Sequence, residues 1–196
     1  MSPTTPINSK RMRKTISSLL FPLVSLGFVI GNPIAIQAQT VPFPDNATFF
    51  TGDPPSLVSV DTPYTDINEP NAKYYFTIAL PQGEIEALGQ VSIHQQVSGD
   101  PINFDLTKTE VFLGNPPQSG ASLAHQIVAG GNDGKTLVIS LDPPVSPGNT
   151  VTIGLFAQQN PSLEGVYQFR VQAFPAGSSP VGLDLGIGRL QFYNNR

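Results

Sequence analysis

Residues 163–174 read LEGVYQFRVQAF. Tyr167, Phe169, Val171 and Ala173 alternate with Gln168, Arg170 and Gln172. Side chains on a strand point to opposite faces in turn, so this pattern puts one set in a core and the other in water, as antiparallel sheets do. A helix would need the apolar residues three and four apart.

The same period recurs along the chain. In KYYFTIAL (73–80), Tyr74, Phe76, Ile78 and Leu80 share a face against Tyr75, Thr77 and Ala79. In QVSIHQQV (90–97), Val91 and Ile93 oppose Ser92, His94 and Gln96. KTLVISL (135–141) aligns Leu137, Ile139 and Leu141, and TVTIGLFA (150–157) aligns Val151, Ile153 and Leu155. Weaker strand patterns cover 56–62, 109–114, 124–130 and 188–193. Turn chemistry separates them. Asn132-Asp133-Gly134 tolerates positive φ, Pro143-Pro144 and Pro147-Gly148 bracket a tight loop, and Asn115-Pro116-Pro117 and Ser178-Ser179-Pro180 mark longer ones. The reading is all-β: an antiparallel immunoglobulin-like sandwich of about eight strands over 56–196, with 39–55 as an extended lead-in. Gly165, Tyr167, Phe169 and Val171 then fit the strand of such a sandwich in which a Tyr hydroxyl bonds back to the backbone at a corner, with Phe169 where antibody domains carry Cys.

The chain opens differently. Lys10, Arg11, Arg13 and Lys14 precede an apolar run at 16–30, and the small-residue end AIQA closes at Ala38. That is the layout of a cleavable secretory signal over residues 1–38, with a mature start at Gln39. A membrane span needs about 20 apolar residues, and Pro22 and Gly27 interrupt this shorter run. Removing 1–38 takes four of the ten basic residues and none of the fourteen acidic ones. Six against fourteen leaves a net charge of −8. Nucleic acid is excluded as a partner on that charge, because phosphate binding needs clustered Lys and Arg. No stable membrane span is expected after cleavage. The chain has no Cys, which removes disulfides, thiolate metal sites and cysteine nucleophiles.

Few residues offer chemistry. His94 and His125 are the two histidines, expected on separate strands as unrelated surface groups. No G-x-S-x-G turn supports a serine nucleophile. Glu84 and Glu86 form a close pair in PQGEIEALG, but neighbours at i and i+2 cannot face each other across a glycosidase cleft, and a solvated loop is expected. Asp45, Asp53, Asp61, Asp66, Glu69 and Asp133 offer hard oxygen ligands for Ca²⁺, without the spacing of an EF-hand or a repeat-type loop. Tyr64, Tyr74, Tyr75, Tyr167 and Tyr193 suit either packing or a carbohydrate or protein surface, with Tyr75 the best exposed candidate. No catalytic, cofactor-binding or metal-binding residue is assigned.

Several motifs carry a family resemblance. Pro143–Gly148, Thr150–Thr152, Asn160-Pro161, the Gly165 to Val171 strand, Ala173–Gly177 and Gly186–Leu190, with PPSLVSV at 54–60 and YYFTIALP at 74–81, make residues 53–193 resemble an exported cyanobacterial family, domain of unknown function 2808. The resemblance implies export and brings no assigned activity. A more distant likeness is to the periplasmic copper-carrier sandwich. There the loop before the G-x-Y strand holds His and the mature chain begins with His. Here Gln158-Gln159-Asn160-Pro161 and Gln39 occupy those places, so the fold likeness carries over and the metal function does not.

The sequence assigns no biochemical activity. It favours a non-enzymatic exported envelope protein, periplasmic or extracellular, acting as a binding or structural module toward another envelope protein or a surface polymer. The alternative is a periplasmic carrier of a small ligand or metal. A hydrolase rests on the compartment alone.

Overall fold

The structure, a computed structural model, describes residues 43–96, 99–116, 120–130 and 135–195. The expected signal segment, the start at Gln39, Pro117 and the Asn132-Asp133-Gly134 turn lie outside the described residues.

Eleven strands appear among the described residues. They are β1 (Ala47–Thr48), β2 (Ser56–Asp61), β3 (Lys73–Ala79), β4 (Leu88–Gln95), β5 (Glu110–Leu113), β6 (His125–Gly130), β7 (Thr136–Val145), β8 (Thr150–Phe156), β9 (Gly165–Pro175), β10 (Ser179–Pro180) and β11 (Leu183–Phe192). One 3-10 turn, Leu106–Lys108, is capped by the Asp105 carboxylate, which accepts from the Thr107 amide. Nine strands form the expected antiparallel sandwich. One sheet runs β11-β9-β4-β7-β6 and the other β2-β3-β8-β5. The lead-in contributes β1, which pairs parallel with β10.

The alternating residues form the core. Tyr74, Phe76 and Ile78 of β3 and Val151, Ile153 and Leu155 of β8 are buried against Val91, Ile93, Ile139, Tyr167, Phe169, Val171 and Phe192 of the facing sheet. Phe169 packs edge-on against Phe76 (5.5 Å between ring centroids) and Tyr74 (6.2 Å), so an aromatic contact joins the two sheets where antibody domains use a disulfide. Burying such a ring stabilises the fold by roughly 1.5–3 kcal/mol. The Tyr167 hydroxyl donates to the Leu163 carbonyl at 3.1 Å and accepts from the Asp100 amide at 3.4 Å, which is the corner expected from the sequence. Gly99, at φ 68, lies against that hydroxyl.

Pro143-Pro144 departs from expectation. The pair does not end its strand, because β7 runs on to Val145. Leu88 pairs with Val145 while Gln90 pairs with Ser140, so residues 141–144 form an enlarged bulge opposite Gly89 on the β4 side. Proline has no N–H to offer a ladder, and a bulge is where a strand tolerates that loss. The Asp142-Pro143 peptide is cis.

Candidate functional site

The outward face of the four-stranded sheet has a distinctive row. Register aligns Asp61 with Tyr75, Tyr75 with Gly154, and Gly154 with Glu110, one residue from each strand. Strands lie about 4.8 Å apart, so the row spans about 14 Å from carboxylate strand to carboxylate strand. Gly154 carries no side chain on this face, and the Tyr75 ring and the Lys73 stem pack beside it. Tyr75 Cε1, Lys73 Cδ and Tyr75 Cδ1 sit 3.6, 3.7 and 3.7 Å from the point where a Cβ at residue 154 would be, which is ordinary van der Waals contact.

Neighbouring side chains fix this platform. Lys73 Nζ is 2.9 Å from Glu110 Oε2, 4.3 Å from the Phe156 ring centroid and 5.7 Å from that of Tyr75. The next row aligns Ser59, Thr77, Thr152 and Phe112. The Thr152 hydroxyl donates to the Gly114 carbonyl at 2.6 Å, which leaves the Thr77 hydroxyl to donate to Thr152 Oγ1 at 3.1 Å. This chain of bonds ties the 114–116 segment down over β8. At the other margin a bulge in β2, between Leu57 and Ser59, turns Val58 outward to 54% exposure.

Between these margins lies a groove of about 550 Å³, lined among others by Val58, Ser59, Asp61, Tyr75, Thr77 and Asn115. A second depression of about 360 Å³ shares Val58, Ser59 and Asp61 and reaches Ile187 and Arg189 of β11. Ile187 and Arg189 belong to the edge strand of the other sheet, so this second depression lies at the edge of the sandwich, between β2 and β11. The apolar surface of the 550 Å³ groove, a few convergent polar groups and a rigid strand foundation are the attributes of a binding site.

The remaining sequence candidates fall elsewhere. His94 lies opposite Thr136, with its Nδ1 2.9 Å from Thr136 Oγ1, and points outward. His125 lies opposite Leu141, at the other end of β7 and on the core side of the sheet. The two imidazoles do not converge. Among the described residues no group of three or more His, Asp or Glu is placed to hold a metal ion. Asp66 bonds Asn195, Asp53 packs against Gly83, and only Asp61 of the acidic candidates lines the groove. Tyr74 and Tyr167 are core residues, while Tyr64 and Tyr193 are exposed away from the groove.

Glu84 corrects the solvated-loop expectation. It is 5% exposed, and its Oε1 accepts from the amides of Ile85 (2.8 Å), Glu86 (3.2 Å) and Gly52 (3.3 Å), while its Oε2 is buried without a hydrogen-bond partner among the described residues. Glu86 receives the Thr51 amide at 3.0 Å and the Thr51 hydroxyl at 2.9 Å. The pair thus clamps the lead-in to the 81–87 turn. Burial pushes the Glu84 carboxyl up, but the amides of Ile85 and Glu86, the Glu86 side chain and the Gly52 amide outweigh it, and the net shift is downward.

A polar depression of about 390 Å³ lies at one end of the sandwich, between Asp100, Asn103 and the 158–162 loop. Its buried groups are already partnered. Asn160 bonds the Tyr74 hydroxyl and the carbonyls of Tyr64 and Asp66, and Asp100 bonds the Ser162 amide and hydroxyl. The loop that holds a metal ligand in the copper-carrier likeness is here a structural joint.

Fold and face together define an immunoglobulin-like β-sandwich with an aromatic-floored groove on one sheet. The chain belongs to the family described as a protein of unknown function, DUF2808, whose model matches residues 47–192. Among solved structures it is similar to the full-length major pilin SpaD from Corynebacterium diphtheriae (14% identity, TM-score 0.46, covering 69% of this chain and 35% of that one). It is similar to an uncharacterised Nocardia farcinica protein with an immunoglobulin-like fold (11%, 0.44, 69% and 97%). It is also similar to the collagen-binding domain of a Staphylococcus aureus adhesin (11%, 0.37, 64% and 89%). No curated protein matches the chain. No helix among the described residues is long and apolar enough to cross a membrane.

Proposed function

We propose that this protein is an exported, non-enzymatic module of the cell envelope that binds an envelope partner through the groove on its four-stranded sheet. One observation carries the reading: Tyr75 lies over Gly154 on the floor of a 550 Å³ groove, held by strands on both sides. A rigid aromatic floor supplies contact area at little conformational cost on binding. Among the described residues Asp61 is the one carboxylate lining the groove, whereas glycoside hydrolysis by the usual route needs an opposed pair. The basic, apolar and small-residue segments of residues 1–38 support export, with the mature chain starting near Gln39.

The test is retention of the purified protein on isolated envelope material. Wild-type protein should be retained, and Tyr75→Ala and Asp61→Ala should each weaken retention under conditions in which both variants remain folded. Equal retention of all three overturns the assignment of this face. Mass spectrometry of the native protein should find residues 1–38 removed, and an intact segment on the bulk of it overturns the export reading.

A further inference from the structure

Resting on that reading of the face, we propose that the partner is an uncharged glycan chain, with one sugar ring packed on Tyr75 and the chain passing β2 toward the adjoining depression beside Arg189. Three observations carry the ligand class.

The first is the chemistry of the floor. A sugar ring presents an apolar C–H face and a rim of hydroxyls. An aromatic side chain laid over a glycine covers the first. The rim needs groups that both donate and accept, and Ser59 and Asn115 line the same groove. The Asp61 carboxylate, the cross-strand neighbour of Tyr75, makes no protein hydrogen bond among the described residues and is available as an acceptor for sugar hydroxyls.

The second is charge. The charged side chains that line the two depressions or flank Tyr75 are Asp61, Glu110, Lys73 and Arg189. They are two of each sign, and Lys73 is already held by Glu110 and Phe156. These four charges balance, and the acidic chain around them, with fourteen Asp and Glu against six Lys and Arg once residues 1–38 are removed, repels an anionic polymer.

The third is shape. The groove on the four-stranded sheet and the depression at the sandwich edge beside Ile187 and Arg189 share Val58, Ser59 and Asp61. Two adjoining depressions suit successive units of a chain better than one isolated sugar. Arg189 brings guanidinium donors to the hydroxyls of the second unit.

The experiment uses the full protein and defined probes: oligosaccharides of glucose, mannose and N-acetylglucosamine of rising length, with polygalacturonate and dextran sulfate as acidic polymers. Calorimetry should show binding to at least one neutral series, with affinity rising up to about four units as the second depression fills. Tyr75→Ala should weaken it at least about tenfold, a loss of about 1.4 kcal/mol, while Tyr75→Phe retains it. Gly154→Thr should weaken it by lifting the ring, and Asp61→Asn, an exposed change, gives a second readout if that strand variant unfolds. Binding to the acidic polymers alone overturns the ligand class. So does failure of every neutral series while retention on envelope material still depends on Tyr75, a result that leaves the groove assignment standing and points to a protein partner. Retention that ignores Tyr75 overturns both.

Discussion

Tyr74 and Asn160 meet in the core, the hydroxyl of the first donating to Oδ1 of the second at 2.7 Å. Asn160 uses its Nδ2 for the carbonyls of Tyr64 (3.0 Å) and Asp66 (2.8 Å), and its own amide for that of Glu69. One buried side chain thus fastens the 64–69 segment to β3. Burial, with a smaller contribution from nearby Tyr167, pushes the Tyr74 hydroxyl well above the ordinary tyrosine range, so it stays a donor at every working pH. Asn160→Ala strands a tyrosine hydroxyl and two carbonyls. It should cost about 2–4 kcal/mol, read as a drop in denaturant midpoint at unchanged slope. Tyr74→Phe should cost less, about 1–2 kcal/mol.

At the corner, Tyr167→Phe removes the bond to Leu163 and should destabilise the protein by about 1 kcal/mol or more. Gly99→Ala should do at least as much. It forces a side chain onto a φ of 68 and places its Cβ 2.5 Å from the Tyr167 oxygen. If the two changes act through one contact, their combined effect falls short of the sum, which a double-mutant cycle measures.

The Glu84 clamp makes a pH prediction. A carboxyl whose folded-state pKa is depressed stabilises the fold above the unfolded value, here 4.5, and loses that contribution as pH falls through the folded one. Glu84→Gln should be less stable than wild type by about 1–2 kcal/mol near neutral pH, since hydrogen bonds to a charged acceptor are the stronger ones. The gap should narrow as pH drops below about 4.5. A gap that stays constant down to the acid transition contradicts the assignment.

His94 and His125 occupy opposite ends and opposite faces of the sheet around β7. Calorimetric titration with Cu(II) or Zn(II) should therefore give no submicromolar site, and the His94→Ala, His125→Ala double variant should not change that outcome. Tight binding lost in the double variant would show the imidazoles converging.

The inner faces were legible because alternation is a local property. Tyr74, Phe76 and Ile78, or Tyr167, Phe169 and Val171, announce their face within a few residues. The binding face was half legible. Tyr75 stood out on the polar side of its strand, but its place beside Gly154 needs the β3–β8 register, which no short stretch encodes. Glu84 looked solvated because Gly52, which covers it, lies 32 residues earlier. Pro143-Pro144 read as a strand end because proline lacks a ladder donor, and the bulge that accommodates it depends on β4. In each case the missing information was a long-range pairing rather than a residue preference.

The order of strands across the five-stranded sheet governs when the chain can fold. β4 has both neighbours, β7 and β9, later in the sequence, and in the other sheet β3 waits for β8. A chain emerging from its N-terminus can form the β2–β3 ladder early and the β4–β7 and β6–β7 ladders once Val145 has emerged, but β5 has no partner and neither sheet is complete until β8, β9 and β11 have followed. Such pairings carry a loop-closure cost and form slowly. Both sheets therefore close only when the last third of the chain is available, and this connectivity builds the delay into the topology itself.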